Sequence, residues 1–151
     1  MSLGPPGAGW PLRPSQRHLY TWLLPSGWKG YVMTKGEIES AIRNAIIKFE
    51  QEFMGRGPED VRAYIVRDLV VVRLKGVLTP AERQLAKTAE GVDMVKRIRQ
   101  TLIAQGRERL FEQVNDITGA KALALYTDIN AQIGEKMLVF TVDRDLEGPG
   151  R

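Results

Sequence analysis

Between Val61 and Lys87 the chain changes its hydrophobic period twice. Val61, Ala63 and Ile65 alternate with Arg62, Tyr64 and Val66. That period of two predicts a half-buried strand. Leu69 to Leu74 is a denser apolar run, with Val70, Val71 and Val72 in succession. It predicts a more central strand, buried on much of both faces. Arg67 and Asp68 lie between the runs, so a tight antiparallel hairpin is expected. No Asn-Gly or Asp-Gly marks the type of its turn. Gly76 ends the second strand. Thr79-Pro80-Ala81-Glu82 then combines an N-cap, a proline at the first helical position and a glutamate that completes a capping box.

The same patterning extends in both directions. Thr34 to Phe53 predicts an amphipathic helix opened by a Thr34/Glu37 capping box. Ile38, Ile42, Ala45, Ile46, Phe49 and Phe53 form its apolar stripe, with Lys48, Glu50, Gln51 and Glu52 off it. Gly55-Arg56-Gly57-Pro58 stops the helix. A helical pattern runs from Pro80 to about Ile117, and Gly91 is expected to split it into a short and a long helix. The long one carries Val95, Ile98, Leu102, Ile103, Leu110, Val114 and Ile117 along one side. Gly106, inside that pattern, marks a bend or a close packing contact. Gly119 is the expected C-cap. Lys121–Thr127 and Lys136–Val142 read as a second strand pair, joined by Asp128 to Glu135. The order α-ββ-αα-ββ predicts an α+β domain: an antiparallel four-stranded sheet with helices packed on one face. Val66, Val71, Leu125, Val139 and neighbouring apolar positions make both strand faces fairly hydrophobic, and helices cover only one of them. The other is therefore expected to meet solvent or another chain, and a homodimer is the expected form.

The 151 residues are enough for one domain with a modest core. With 43% hydrophobic and 26% charged residues the composition is that of a soluble globular protein. No apolar run approaches the roughly 20 residues of a membrane-spanning helix. Residues 1–32 differ from everything that follows. They hold Trp10, Trp22 and Trp28, the single histidine His18, and many Gly and Pro. The apolar piece Leu19–Leu24 is too short for a signal sequence. The segment 1–32 is expected to be a disordered leader outside the fold, with Met33 the native start. Trp28-Lys29-Gly30 supports this, because its codons form a purine run of ribosome-binding type just upstream of Met33. Residues 33–145 then form the domain, and 146–151 a frayed tail.

The formal net charge is +4. Arg13, Arg17 and Lys29 lie in the leader, which has no acidic residue, leaving 19 basic against 18 acidic residues for the remainder. A near-neutral domain disfavours a nucleic-acid partner. The chain has no cysteine, which excludes disulfides, thiolate metal sites and Cys nucleophiles. From Met33 onward there is no histidine either, which removes His-based catalysis and His-ligated metals. Ser40, the only serine there, sits in the first helix. Gly55-Arg56-Gly57 follows a helix C-terminus, whereas a phosphate cradle leads into an N-terminus. The carboxylates, Asp116 and Asp128 among them, show no metal-ligand spacing. No enzyme, metal or cofactor is therefore expected. One candidate surface remains. Arg62 and Tyr64 share a side of the first strand, and Arg73 and Lys75 a side of the second. Such a face could bind an anion or stack bases, or serve as a solvated edge or an intermolecular salt-bridge surface.

The motifs taken together resemble a family. They are Met54-Gly55-Arg56-Gly57-Pro58, the run Val61–Ala86, Asp116-Ile117-Thr118-Gly119, Thr127-Asp128-Ile129 and Val139-Phe140-Thr141-Val142. The chain from Thr34 to Asp143 is similar to the MpsC-like domain family, long catalogued as a domain of unknown function. Leu74 to Glu82 is the most specific piece. The family's label refers to a sodium-translocating, membrane-potential-generating system, also discussed as an inorganic-carbon uptake system. The resemblance implies a cytoplasmic accessory or regulatory domain acting beside integral membrane subunits, without ion translocation of its own. The alternative is a nucleic-acid-binding or anion-binding regulatory module that uses Arg62, Tyr64, Arg73 and Lys75.

Overall fold

Thr34 Oγ1 accepts a hydrogen bond from the Glu37 N–H, and the Glu37 carboxylate accepts one from the Thr34 N–H. This reciprocal cap fixes the start of α1, Lys35–Met54, in a computed structural model that describes residues 33–148. The leader expected over 1–32 lies outside the described residues, as do 149–151. Ile38, Ile42, Ile46 and Phe49 form the buried stripe of α1. Gly55 ends the helix with φ of 79°, a left-handed turn that glycine adopts without cost.

The two hairpins form as expected. β1 (Asp60–Val66) pairs with β2 (Leu69–Lys75), and β3 (Ala122–Asn130) with β4 (Glu135–Val142). β2 also pairs antiparallel with β4, which gives one four-stranded sheet in the order β1-β2-β4-β3. The second strands are longer than their apolar runs, so the joining turn shrinks to residues 131–134. Asn130 Oδ1 accepts from the Gln132 and Ile133 N–H groups there, and Gly134 takes φ of 68°. On the inner face Val61, Ile65, Val70, Val72, Leu74, Leu138, Phe140 and Val142 are buried under the helices.

The helical region is α2 (Pro80–Leu85) followed by α3 (Ala89–Thr118). Their break lies at residues 86–88, earlier than Gly91. Thr88 supplies the second N-cap, its Oγ1 accepting from the Gly91 N–H at 3.0 Å. Gly91 belongs to the first turn of α3 for a different reason. A Cβ on it would stand 1.7 Å from the Leu85 carbonyl oxygen, so only glycine lets α2 fold back against α3 here. Gly106 is likewise a close contact, with Phe49 of α1 against it: a Cβ would meet that ring at 2.5 Å. Ile98, expected on the buried side of α3, is 50% exposed. Arg99 takes the buried place, because its guanidinium donates to both Glu82 carboxylate oxygens (2.8 and 2.6 Å) and to the Val77 carbonyl (2.7 Å). Burial alone would raise the Glu82 carboxyl, but Arg99 and the Thr79 amide hold it below the usual range.

Two further expectations are corrected. Glu50, placed off the α1 stripe, is 2% exposed and faces the equally buried Lys136 of β4 at 3.2 Å. A charged residue in a helical pattern reads as solvated, and only its opposite partner makes burial tolerable. Burial pushes the Lys136 ammonium down from its ordinary value, opposed by Glu50. Residues 146–151 read from the sequence as a frayed tail, yet Leu146 is buried. Its N–H donates to the Arg67 carbonyl, and the Glu147 carboxylate accepts from the Arg67 N–H, each at 2.8 Å. This strap holds Arg67 in the left-handed region, φ 57°, at the β1–β2 turn. At the free edge of β1, Glu39 accepts from the Ile65 N–H and Arg43 donates to the Val61 carbonyl. Helix α1 thereby occupies groups that another strand could use.

Two outcomes follow from this packing. Gly91→Ala forces backbone apart and costs about 1–3 kcal/mol, so thermal unfolding followed by circular dichroism shows a midpoint several degrees lower; an unchanged midpoint contradicts the close approach. Glu50→Leu and Lys136→Met each strand a buried charge and cost about 3–5 kcal/mol, whereas the double variant costs less than either. Denaturant unfolding reads this directly, and additive single losses would refute it.

Candidate functional site

Alternation along the four strands sends every second side chain away from the helices. The strand register aligns these outward residues in rows. Tyr64, Val71, Val139 and Tyr126 form the central apolar row. Val66, Leu69, Thr141 and Ala124 form the row on one side of it. On the other side lie Arg62, Arg73, Met137 and Asp128, and then Asp60, Lys75, Glu135 and Asn130. Tyr64 is 45% exposed and Tyr126 63%, with Val66 also open to solvent. The described helices pack on the opposite face. The result is an apolar band across a sheet face that no described element covers, bordered at one end by charges of both signs.

All four residues singled out from the sequence, Arg62, Tyr64, Arg73 and Lys75, lie on this face. Arg62 and Arg73 are cross-strand neighbours. They do not form a free basic strip. Arg62 pairs with Asp60 at 3.3 Å, and Arg73 pairs with Glu135 at 2.7 Å. Beside them the face carries Asp128. Its charge is therefore mixed, which is a poor match to a phosphate backbone. Sequence reasoning missed Tyr126, Met137 and Asp128 as members of this surface. The alternation Ala124-Tyr126-Asp128 was a usable signal. The pairing of β2 with β4 that brings them beside Arg73 was not.

At the charged end the face opens into a cleft of about 710 Å³. It lies between β2, α2 and the β3–β4 turn. Its lining includes Leu78, Ala86, Ala131 and Ile133, with Arg73, Lys75, Arg83, Lys87, Glu59 and Glu135. Among the described residues Lys75, Arg83 and Lys87 have no carboxylate within salt-bridge distance. With Arg73 neutralised by Glu135, the cleft keeps an excess of positive charge. Among the described residues no three His, Cys, Asp or Glu side chains gather into a metal-binding group. No described helix is long and apolar enough to cross a membrane.

Comparison with known proteins gives a consistent set of matches. A family described as "Na+-translocating membrane potential-generating system (MpsC)" matches residues 34–144. The chain is 40% identical over 114 residues to "Uncharacterized protein YbcI" of Bacillus subtilis (strain 168), covering 76% of this chain and 92% of that protein. It is 32% identical over 103 residues to "Uncharacterized protein YrhF" of the same organism, covering 68% of this chain and 84% of that protein. No solved structure matches it.

Proposed function

The chain belongs to the MpsC family of the Na+-translocating membrane potential-generating system, and from that premise we propose that it serves such a system as a non-enzymatic accessory or regulatory domain. It works in the cytoplasm as a homo-oligomer, beside integral membrane subunits of a cation-coupled, inorganic-carbon uptake system. The family match over residues 34–144 is the observation that carries this reading. Two features support it. An ion path needs spanning segments whose backbone is satisfied within the bilayer, and no described helix is suited to that. The exposed apolar band is the kind of surface that works through protein contact.

One observation favours a second reading, an anion-binding regulatory module. Lys75, Arg83 and Lys87 line one cleft together with Glu59 and the Arg73–Glu135 pair, and none of the three is in a salt bridge among the described residues, so the cleft keeps a net positive charge. A small multivalent anion suits that charge better than nucleic acid suits the paired Arg62 and Arg73.

Deleting the gene in its native host is expected to lower the membrane potential reported by a voltage-sensitive dye and to slow growth in ambient air, with rescue at enriched carbon dioxide. Normal potential and growth would refute the accessory role. For the second reading, calorimetric titration with inorganic pyrophosphate is expected to show binding that weakens with salt and is lost in Arg83→Glu/Lys87→Glu. No heat at millimolar pyrophosphate would exclude it.

A further inference from the structure

The sheet face that no described element covers has a charge layout that discriminates between ways of pairing it with a second copy. A flat sheet face packs well against another sheet face, with strands aligned to within about 30°. A second copy of this chain offers such a face. Two kinds of twofold axis lying in the interface would bring the copies together.

An axis perpendicular to the strands sets each strand against its own copy, running oppositely. Centred on the row of Arg62, it opposes Arg62 to Arg62, Arg73 to Arg73 and Asp128 to Asp128. Centred on the row of Tyr64, it presses Arg62 onto Val66, Arg73 onto Leu69 and Asp128 onto Ala124. The first arrangement sets like charges together, and the second buries charge on apolar side chains.

An axis parallel to the strands behaves differently. It keeps each row level and exchanges the two halves of the sheet, so β1 lies over the second copy's β3 and β2 over its β4. With the register of this sheet, Tyr64 then meets Tyr126 and Val71 meets Val139. Arg62 meets Asp128, and Lys75 meets Glu135. Arg73 lies over Met137, and Asp60 over Asn130. No like charges are opposed. Each contact occurs twice by symmetry, giving four cross-copy charge pairs at the border of a continuous apolar core. Arg62 makes only an exposed pair within its own chain, to Asp60 at 3.3 Å. Asp128 Oδ1 is engaged at the β3 edge, accepting from the Ile129 N–H at 2.8 Å and lying 3.5 Å from the Lys96 ammonium of α3, which leaves Oδ2 of the exposed carboxylate for the second copy's Arg62. The long Arg62 side chain tolerates the offset that sheet twist adds at the corners.

We infer that the occupant of this face is a second copy of the same chain, docked face to face about a twofold axis parallel to the strands, with Arg62 of each copy against Asp128 of the other. The inference rests on the homo-oligomer part of the function proposed above and gives it a specific geometry.

Charge reversal tests it, using the full 151-residue chain and sedimentation equilibrium. The wild type is expected to be a dimer at micromolar concentration. Arg62→Asp and Asp128→Arg each place like charges together at two symmetric positions, so each is expected to weaken the dimer by at least about tenfold. The combined variant Arg62→Asp/Asp128→Arg restores opposite charges and is expected to recover most of the wild-type association. Both positions are exposed, and circular dichroism confirms that the variants fold. A wild type that stays monomeric at about 100 μM, a concentration at which micromolar dimers are saturated, would overturn self-association itself and point to a different protein as occupant. A wild-type dimer indifferent to the single reversals, or a double variant no better than the singles, would overturn this interface while leaving self-association standing.

Discussion

Pairing of β2 with β4 joins two local hairpins into one sheet across a long stretch of chain, Val71 lying beside Val139. Each hairpin alone would be marginal in water. The chain must close a loop containing α2 and α3 before this contact forms, and the two helices then have a surface to cover. Helices α1 and α3 are enough to roof one side, with α2 packed against α3. Phe49, Val70, Leu74, Leu138 and Phe140 are wholly buried there. The other side of the same four strands is left with Tyr64, Val71, Val139 and Tyr126. Core and uncovered face are thus two consequences of one strand pairing.

Much of this architecture was legible locally. The Thr34 and Thr79 capping boxes, the hairpin around Arg67 and Asp68, and the stop at Gly55 rest on interactions between near neighbours in sequence, and they appear where the residues indicate. What failed depended on distant partners. Glu50 and Arg99 look like surface residues until Lys136 and Glu82 are brought to them. Leu146 looks like tail until it reaches the Arg67 turn. Gly91 looks like a helix breaker until the Leu85 carbonyl is seen against its Cα. The candidate site divides in the same way. Arg62, Tyr64, Arg73 and Lys75 were legible from strand alternation, but the pairing of Arg62 with Asp60 and of Arg73 with Glu135, and the apolar neighbours across β4, were not.

The buried charges give the inner layer a different character from the outer face. Glu50–Lys136 ties α1 to β4 of the sheet beneath it, and Arg99–Glu82 ties α3 to α2. Breaking either would leave an uncompensated charge, so they fix how the helices seat on the sheet more than they add stability. Helices seated in this way hold the strands, and so the rows of the free face, in one arrangement. For a domain proposed to act through contact with other chains, a preformed surface reduces the conformational cost of docking.

The central claim is that a second copy covers this face with its strands level and its halves exchanged. Because the chain has no cysteine, it can be read with two engineered thiols and a short bismaleimide linker. Chains carrying Tyr64→Cys and chains carrying Tyr126→Cys are mixed and cross-linked. The account predicts a covalent dimer in the mixture and little in either variant alone, since two copies of position 64 lie about three strand spacings apart laterally, roughly 14 Å. Cross-linking of the Tyr64→Cys chain to itself, or none in the mixture, would contradict it.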